Sequence, residues 1–178
     1  MPLVIGVLLE THPGERRLTV VPDVVKKYQG LGAQVVMQKE AGKAAHLRDA
    51  DFADVSFVDT AEEVAAAADL VFCVQAPPAS TIAAMKPGSV LCGMLQPWSS
   101  AERAQQLIDG QITAFALELL PRISRAQSMD ILSSQGAVAG YECALIAADH
   151  SPKFFPMLTY AAGSIRPSKV LVIGAGVA

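Results

Sequence analysis

Short apolar runs of strand length recur along the first two thirds of the sequence, and each is followed by a segment with helical features. The runs are VIGVLL (4–9), QVVMQ (34–38), LVFCVQA (70–76), SVLCGML (89–95) and ITAFALELL (112–120). Continuous apolar runs are typical of strands buried on both faces of a parallel sheet. Their alternation with helices predicts an α/β, doubly wound parallel-sheet domain of the Rossmann/flavodoxin-like class over residues 1–135.

The segments between these runs carry signals for helix starts. Pro22 begins PDVVKKYQG, and Pro is favoured in a first turn because its missing N–H has no intrahelical partner there. Thr60 and Glu63 have the spacing of a capping box, in which each side chain accepts a hydrogen bond from the other residue's backbone N–H. Ser99 and Glu102 have the same spacing, so a second capping box is expected there.

Composition and charge exclude several classes of protein. The chain is 52% hydrophobic and 17% charged, so it can bury a core, and disorder is not expected. A net charge of −3 offers no general attraction for nucleic acid or an anionic membrane surface. Cys73, Cys92 and Cys143 are scattered, which favours reduced thiols over a disulfide framework or a zinc site, and no metal site is expected.

Neither a signal peptide nor a membrane span is predicted. The N-terminal segment MPLVIGVLLE has no basic leader and reaches an acidic residue at Glu10, so we expect a first β-strand there. No uncharged apolar run approaches the roughly 18 residues that a membrane span needs. Direct membrane insertion of this segment is therefore not expected.

The last third of the sequence is organised differently. SMDILSSQGAVAGYECALIAADH is predicted to form one long helix, whose small residues would let another backbone approach closely. After a Pro-rich linker, KVLVIG leads into Gly174-Ala175-Gly176-Val177. A strand followed by Gly-x-Gly begins a dinucleotide-binding fingerprint, although the same residues could be a flexible exit from a strand. We predict a connecting helix at 136–150 and, at 151–178, a linker and the first strand of an incomplete NAD-binding Rossmann domain.

A polar loop, PRISRAQSMD (121–130), precedes the long helix and concentrates arginine, glutamine, serine and aspartate side chains. Together with ILSSQGAVAGYECALIAA and KVLVIGAGVA, it resembles the NAD(H)-binding component in the α subunit of proton-translocating NAD(P) transhydrogenases, within the alanine dehydrogenase/transhydrogenase superfamily. The resemblance extends to GERRLTVVP (14–22), VQAP and MKPGSVL, and so covers nearly the whole chain.

The resemblance implies two groups of site residues. One is a nicotinamide-orienting group, because hydride transfer requires the ring to be held at the right face and distance; its catalytic members would be Arg122, Gln127, Asp130 and Ser133. The other is a pyrophosphate turn. The implied cofactor-binding residues are Arg122, Ile123, Ser124, Gln127, Asp130, Ser133, Gly174, Ala175, Gly176 and Val177. The alternative is a solvated loop in which Asp130 simply begins a helix.

The resemblance also implies an activity and partners. These are hydride transfer between NAD(H) and NADP(H) coupled to proton translocation, of the Si-specific/Re-specific type, with NAD(H) bound here and NADP(H) on a partner component. The implied partners are a second copy of the chain, forming a homodimer, together with the transhydrogenase β subunit and membrane components. The implied location is the cytoplasmic face of the bacterial inner membrane.

Two further interpretations stay open. An alanine dehydrogenase-like oxidoreductase would keep Arg17 for a substrate carboxylate, but this chain has Cys73 and Gln96 where the resemblance places that enzyme's catalytic Lys and His. Gln96 cannot act as an acid or base near neutral pH. The other interpretation is a truncated, non-catalytic folding or dimerisation module. The 178 residues alone are expected to be inactive and to bind NAD weakly, because no helix follows the glycine-rich turn.

Overall fold

The computed structural model describes residues 2–178 and forms two compact units, Met1–Pro121 and Arg122–Ala178. A six-stranded, all-parallel sheet forms the first unit, in the order β3-β2-β1-β4-β5-β6. This order is that of the dinucleotide-binding Rossmann fold and confirms the predicted doubly wound sheet. The strands are β1 (Val4–Val7), β2 (Gln34–Gln38), β3 (Ser56–Val58), β4 (Leu70–Gln75), β5 (Val90–Met94) and β6 (Thr113–Ala116).

The two edge strands differ from the sequence prediction. β3 (Ser56–Val58) was not predicted, because its three residues are too few to form an apolar run. β6 covers Thr113–Ala116 only, and the predicted continuation to residue 120 is wrong because Leu117–Leu119 form a 3₁₀ turn. Each edge strand has one neighbour in the sheet, so fewer ladder hydrogen bonds hold it extended.

Five α-helices follow the strands, and their starts test the capping predictions. Pro22 lies in the first turn of its helix, and Thr60 and Glu63 form the predicted capping box. The second box is wrong. Ser100, rather than Ser99, is the N-cap, and its Oγ accepts from the Arg103 N–H at 3.1 Å. The helices are α1 (Pro22–Gly30), α2 (Ala61–Ala67), α3 (Ala79–Ala83), α4 (Ala101–Asp109) and α5 (Ile131–His150).

Helices cover both faces of the sheet, which therefore has two apolar cores. On one face, Val25 of α1 packs with Val7 and Met37; the other face holds a larger cluster that includes residues of α2, α3 and α4. Each fully buried side chain of this size contributes roughly 1.5–3 kcal/mol. A Cβ on Gly6 would lie 2.7 Å from the Ala68 Cβ, so glycine is required in β1 for the chain after α2 to pack this closely.

The second unit contains α5 and a small hairpin. β7 (Leu158–Tyr160) and β8 (Gly163–Ile165) pair antiparallel within the segment that was predicted to be a linker. The predicted strand at KVLVIG is wrong, because residues 166–178 contain no strand in the structure. A strand requires a hydrogen-bonded neighbour, and within residues 2–178 this segment has none; Leu171 is 84% exposed and Ile173 92% exposed.

One helix in the described part of the chain has the length and composition of a membrane span. α5 has 20 residues and a mean hydropathy of 1.2 over its best window, of which no residue is buried. Glu142 and Asp149 interrupt it, so it is not the uncharged run that the sequence criterion sought. A single helix of this kind is weak evidence for a span, because helices that pack against other parts of a protein have the same composition.

Candidate functional site

The carboxyl edge of the sheet holds a cavity where the strand order reverses. β1 and β4 are neighbours there, but the chain leaves β1 towards β2 and leaves β4 towards β5, so the following loops diverge and leave a crevice. The cavity has a volume of about 590 Å³, and Glu10, Gln75, Ser100 and Arg103 are among its lining residues. Such crevices are the usual ligand sites of open α/β sheets.

Glu10 closes the gap between β1 and β4. Its carboxylate accepts hydrogen bonds from the backbone N–H groups of Val74 and Gln75, at the point where the β4–β5 pairing changes register. Burial raises the pKa of Glu10, and the nearby Glu15 carboxylate adds to that increase, while the two backbone hydrogen bonds oppose it. Sequence analysis did not identify Glu10 as a site residue, although its position directly after the β1 run was a usable signal.

Glu15, Arg17 and Gln75 form a polar cluster beside Glu10. The Arg17 Nη2 and Nε atoms lie 2.6 and 2.8 Å from the two Glu15 carboxylate oxygens, and Gln75 Nε2 donates to Glu15 Oε2 at 3.0 Å. The hydrogen bond from Arg17 is the main cause of a lowered Glu15 pKa, about 2. Arg17 is therefore held by a neighbouring carboxylate, as the salt-bridge interpretation predicted.

The two positions that would carry alanine dehydrogenase chemistry show no catalytic arrangement. Cys73 is buried in β4, its Sγ lies 3.8 Å from the Cys92 carbonyl oxygen, and burial strongly raises its pKa. Gln96 has a left-handed backbone, with φ of 45°, and its backbone N–H donates to the Glu118 carboxylate. Cys73 is a core residue, and Gln96 ends a turn at the sheet edge.

In the second unit, three of the predicted nicotinamide residues come together at the start of α5. Asp130 is the N-cap: its Oδ1 accepts from the Ser133 N–H at 3.0 Å, and its Oδ2 accepts from the Ser133 hydroxyl at 2.6 Å. Arg122 Nη2 lies 3.4 Å from Ser133 Oγ, and Arg122 Nε lies 3.8 Å from Asp130 Oδ2. The two hydrogen bonds from Ser133 lower the pKa of Asp130, which is therefore ionised at neutral pH.

The remaining loop residues lie beside this cluster without joining it. Ile123, Ser124 and Gln127 are exposed, and residues 124–129 form a 3₁₀ turn anchored by the buried Ala126. The side chain of Arg122 is 68% exposed, whereas that of Asp130 is 19% exposed. The aspartate thus holds the turn together, and the guanidinium, the amide and the serine hydroxyl remain accessible.

The glycine-rich turn also presents accessible polar groups. Gly174 has a φ of +102°, which disfavours any residue with a side chain. A Cβ built on Gly174 or Gly176 would meet nothing within 4 Å, so their backbone is open to a ligand. Within residues 2–178, the N–H groups of residues 174–177 donate to no protein acceptor. In the same part of the chain, no group of three or more His, Cys, Asp or Glu residues could hold a metal ion.

Family comparison decides what the two units belong to. A model of the alanine dehydrogenase/PNT N-terminal domain matches residues 6–139, and a model of the corresponding C-terminal domain matches residues 143–178. The chain belongs to the alanine dehydrogenase/PNT family. The resemblance inferred from the polar loop and the glycine-rich turn is therefore confirmed.

Several relatives within the family are transhydrogenase subunits. The chain is 41% identical to the first of the separate parts of the NAD(P) transhydrogenase alpha subunit of Rhodospirillum rubrum, over 98% of this chain and 47% of that protein. It is 36% identical to the NAD(P) transhydrogenase alpha subunit of Haemophilus influenzae, over 99% of this chain and 34% of that protein. An alanine dehydrogenase of Mycobacterium tuberculosis is 30% identical, over 98% of this chain and 48% of that protein. The chain spans about half the length, or less, of these relatives.

The fold leads to the same group of proteins. A transhydrogenase of Sinorhizobium meliloti superposes with a TM-score of 0.91 and 35% identity, over 98% of this chain and 52% of that chain. An L-alanine dehydrogenase superposes with a TM-score of 0.75 at 24% identity, over 83% of this chain and 40% of that chain, and so shows the shared fold alone.

Proposed function

We propose that this chain is part of the NAD(H)-binding component of a proton-translocating NAD(P)⁺ transhydrogenase, which transfers hydride between NAD(H) and NADP(H). The cluster of Arg122, Asp130 and Ser133 at the start of α5 carries the proposal. Ion-paired and hydrogen-bonded groups give the polar loop a fixed shape while leaving donors accessible. The greater identity to transhydrogenase subunits than to alanine dehydrogenase supports this assignment.

The residues present fit a dinucleotide. Free N–H groups and open glycines at residues 174–177 suit the close approach of a pyrophosphate. The guanidinium of Arg122 and the amide of Gln127 can donate to carboxamide, ribose or phosphate oxygens. Bound NAD(H) would supply the hydride donor or acceptor. The protein's task is to orient the ring and exclude water, and neither requires a strong acid or base.

Within this arrangement, each residue of the polar loop has a distinct role. Asp130 would hold the loop by capping α5 and binding Ser133. Arg122 would contact the cofactor directly, since most of its side chain is exposed. Gln127, Ile123 and Ser124 would line the same exposed face of the loop.

The proposed complex extends beyond this chain. We propose that NADP(H) binds a partner component, that the β subunit and membrane components conduct the proton, and that the NAD(H)-binding component is a homodimer at the cytoplasmic face of the bacterial inner membrane. In this proposal α5 packs against protein rather than crossing the membrane. The two family models meet on either side of residues 139–143, within α5, which supports its role as a connection between protein domains.

Two arginines in the same loop provide a matched test of the proposed site. Arg122→Ala should weaken NADH binding by the full-length protein about tenfold or more, because a charge-assisted contact to the cofactor is lost. Arg125→Ala removes the same charge from a neighbouring exposed position that is outside the proposed site and should change binding less than twofold. Fluorescence titration with NADH measures both. Equal effects of the two substitutions would contradict the proposed site.

The alanine dehydrogenase interpretation has one observation in its favour. Arg17 lines the carboxyl edge of the sheet, where it could reach a substrate carboxylate. Its guanidinium is already engaged by Glu15, however, and Gln75 occupies the other side of that carboxylate. Without a titratable group at Gln96, oxidation of an amino acid lacks its acid–base partner, so we propose this function only as the second candidate.

A further inference from the structure

The glycine-rich segment packs against the side of α5 at one glycine. A Cβ built on Gly140 would lie 2.3 Å from the carbonyl carbon of Ala178, 3.0 Å from its Cα and 3.3 Å from its oxygen. These are backbone atoms, which cannot rotate away as the end of a side chain can. Any residue other than glycine at position 140 would therefore push the segment away from the helix.

A second glycine on the same helix is in a different situation. A Cβ on Gly136 would have Ala178 N as its nearest neighbour, at 4.0 Å, which is ordinary van der Waals contact. Both positions lie inside a regular helix, where alanine is the better helix former. Alanine would thus favour the helix at both positions, but only at Gly140 would it displace the glycine-rich segment.

The same helix carries the other half of the proposed site. Asp130 caps α5, and Ser133 in its first turn binds Asp130 and lies beside Arg122. Ser133 and Gly140 are seven residues apart, or about 10 Å along a helix that rises 1.5 Å per residue. Helix α5 therefore fixes the spacing between the nicotinamide loop and the pyrophosphate turn.

We infer that Gly140 is a positioning residue for dinucleotide binding. Its missing side chain lets residues 174–178 lie against α5, and this contact sets the distance from the turn to the cluster of Arg122, Asp130 and Ser133. The inference rests on the proposed function, because a ligand that bridges both groups is what makes their spacing matter. NAD(H) is such a ligand, since its pyrophosphate and its nicotinamide ring belong to one molecule.

The test compares Gly140→Ala with Gly136→Ala in the full-length protein. G140A should weaken NADH binding about tenfold or more and raise the KM for NADH, with little change in the KM for the NADP(H) substrate or in the thermal midpoint. G136A should bind NADH within twofold of wild type. A general loss of folding would instead change both KM values and the midpoint. NADH binding by G140A within twofold of wild type would overturn the inference.

Two measurements without nucleotide separate this inference from the proposed function. Hydrogen exchange of residues 169–178 should be faster in G140A than in wild type and unchanged in G136A. In the wild-type protein, a nuclear Overhauser contact should connect Gly140 Hα with the Ala178 backbone. Equal exchange in all three proteins, or no such contact, would overturn the packing role of Gly140. Failure of the wild-type protein to bind NADH, with both observations as expected, would instead refute the proposed function and with it the positioning role.

Discussion

Glu10 and Glu15 lie in one loop, and their surroundings shift their pKa values in opposite directions. Burial raises the pKa of Glu10, whereas the hydrogen bonds from Arg17 lower that of Glu15 to about 2. Glu15 is ionised across the neutral range, while Glu10 is the more easily protonated of the pair. Ionisable groups with separated pKa values are common in clefts that bind ligands. This one lies beside the cavity at the β1–β4 switch point.

The ion pair of Glu15 with Arg17 has a predictable dependence on pH. The folded-state pKa of Glu15 is lowered from its ordinary 4.5 to about 2, so its stabilisation is complete above pH 4.5 and is lost as the pH falls towards 2. We expect Glu15→Gln to lower the free energy of unfolding by about 1 kcal/mol at pH 7, a modest effect because the Arg17 partner is partly exposed. Denaturant unfolding at pH 7 and at pH 3 should show the difference shrinking.

A more exposed ion pair serves as the control for Glu15. The side chains of Glu40 and Lys43 are 64% and 72% exposed, and their closest N···O distance is 3.0 Å. Glu40→Gln should therefore change stability little at either pH. A destabilisation by Glu15→Gln that is constant with pH, or no larger than that of Glu40→Gln, would contradict the role given to the ion pair.

The elements differ in how strongly the sequence determines them. The central strands β1, β4 and β5 are continuous apolar runs, because neighbours on both sides and helices on both faces surround them. The N-cap of α4 was misplaced by one residue, because Ser99 and Ser100 are chemically identical and only the local backbone selects between them. The tail at residues 169–174 has the composition of a buried strand but no neighbour in the described chain, and pairing is a tertiary property.

The corrected N-cap of α4 makes a prediction that separates two adjacent serines. Ser100→Ala should lower the free energy of unfolding by about 1 kcal/mol, since the Arg103 N–H at the helix start loses its acceptor. The Ser99 hydroxyl makes a hydrogen bond of 2.8 Å to the Gln96 carbonyl oxygen in an exposed turn. Its replacement by alanine should cost only a few tenths of a kcal/mol. Denaturant unfolding of the two variants would decide, and a larger effect at Ser99 would restore the capping box expected from the sequence.

At the scale of the whole molecule, the functional residues divide between two units with different local structure. The first is a closed Rossmann-type sheet with its crevice in the expected place, and its strand pattern was readable from the sequence. The second carries the polar loop and the glycine-rich turn, which were identified by resemblance because exposed polar loops have no periodicity to read. The hydrogen bonds among Arg122, Asp130 and Ser133 needed coordinates, since spacing alone does not show which side chains meet.

Hydride transfer by the full-length protein with its partner subunits tests the central claim most directly. The account predicts that NADH will reduce NADP⁺, measured with an NADP⁺ analogue whose reduced form absorbs at its own wavelength. It also predicts that alanine with NAD⁺, and pyruvate with ammonium and NADH, will give no turnover. Hydride exchange between the two nucleotides would support the transhydrogenase assignment. Turnover of alanine or pyruvate without exchange between nucleotides would contradict it and favour the dehydrogenase.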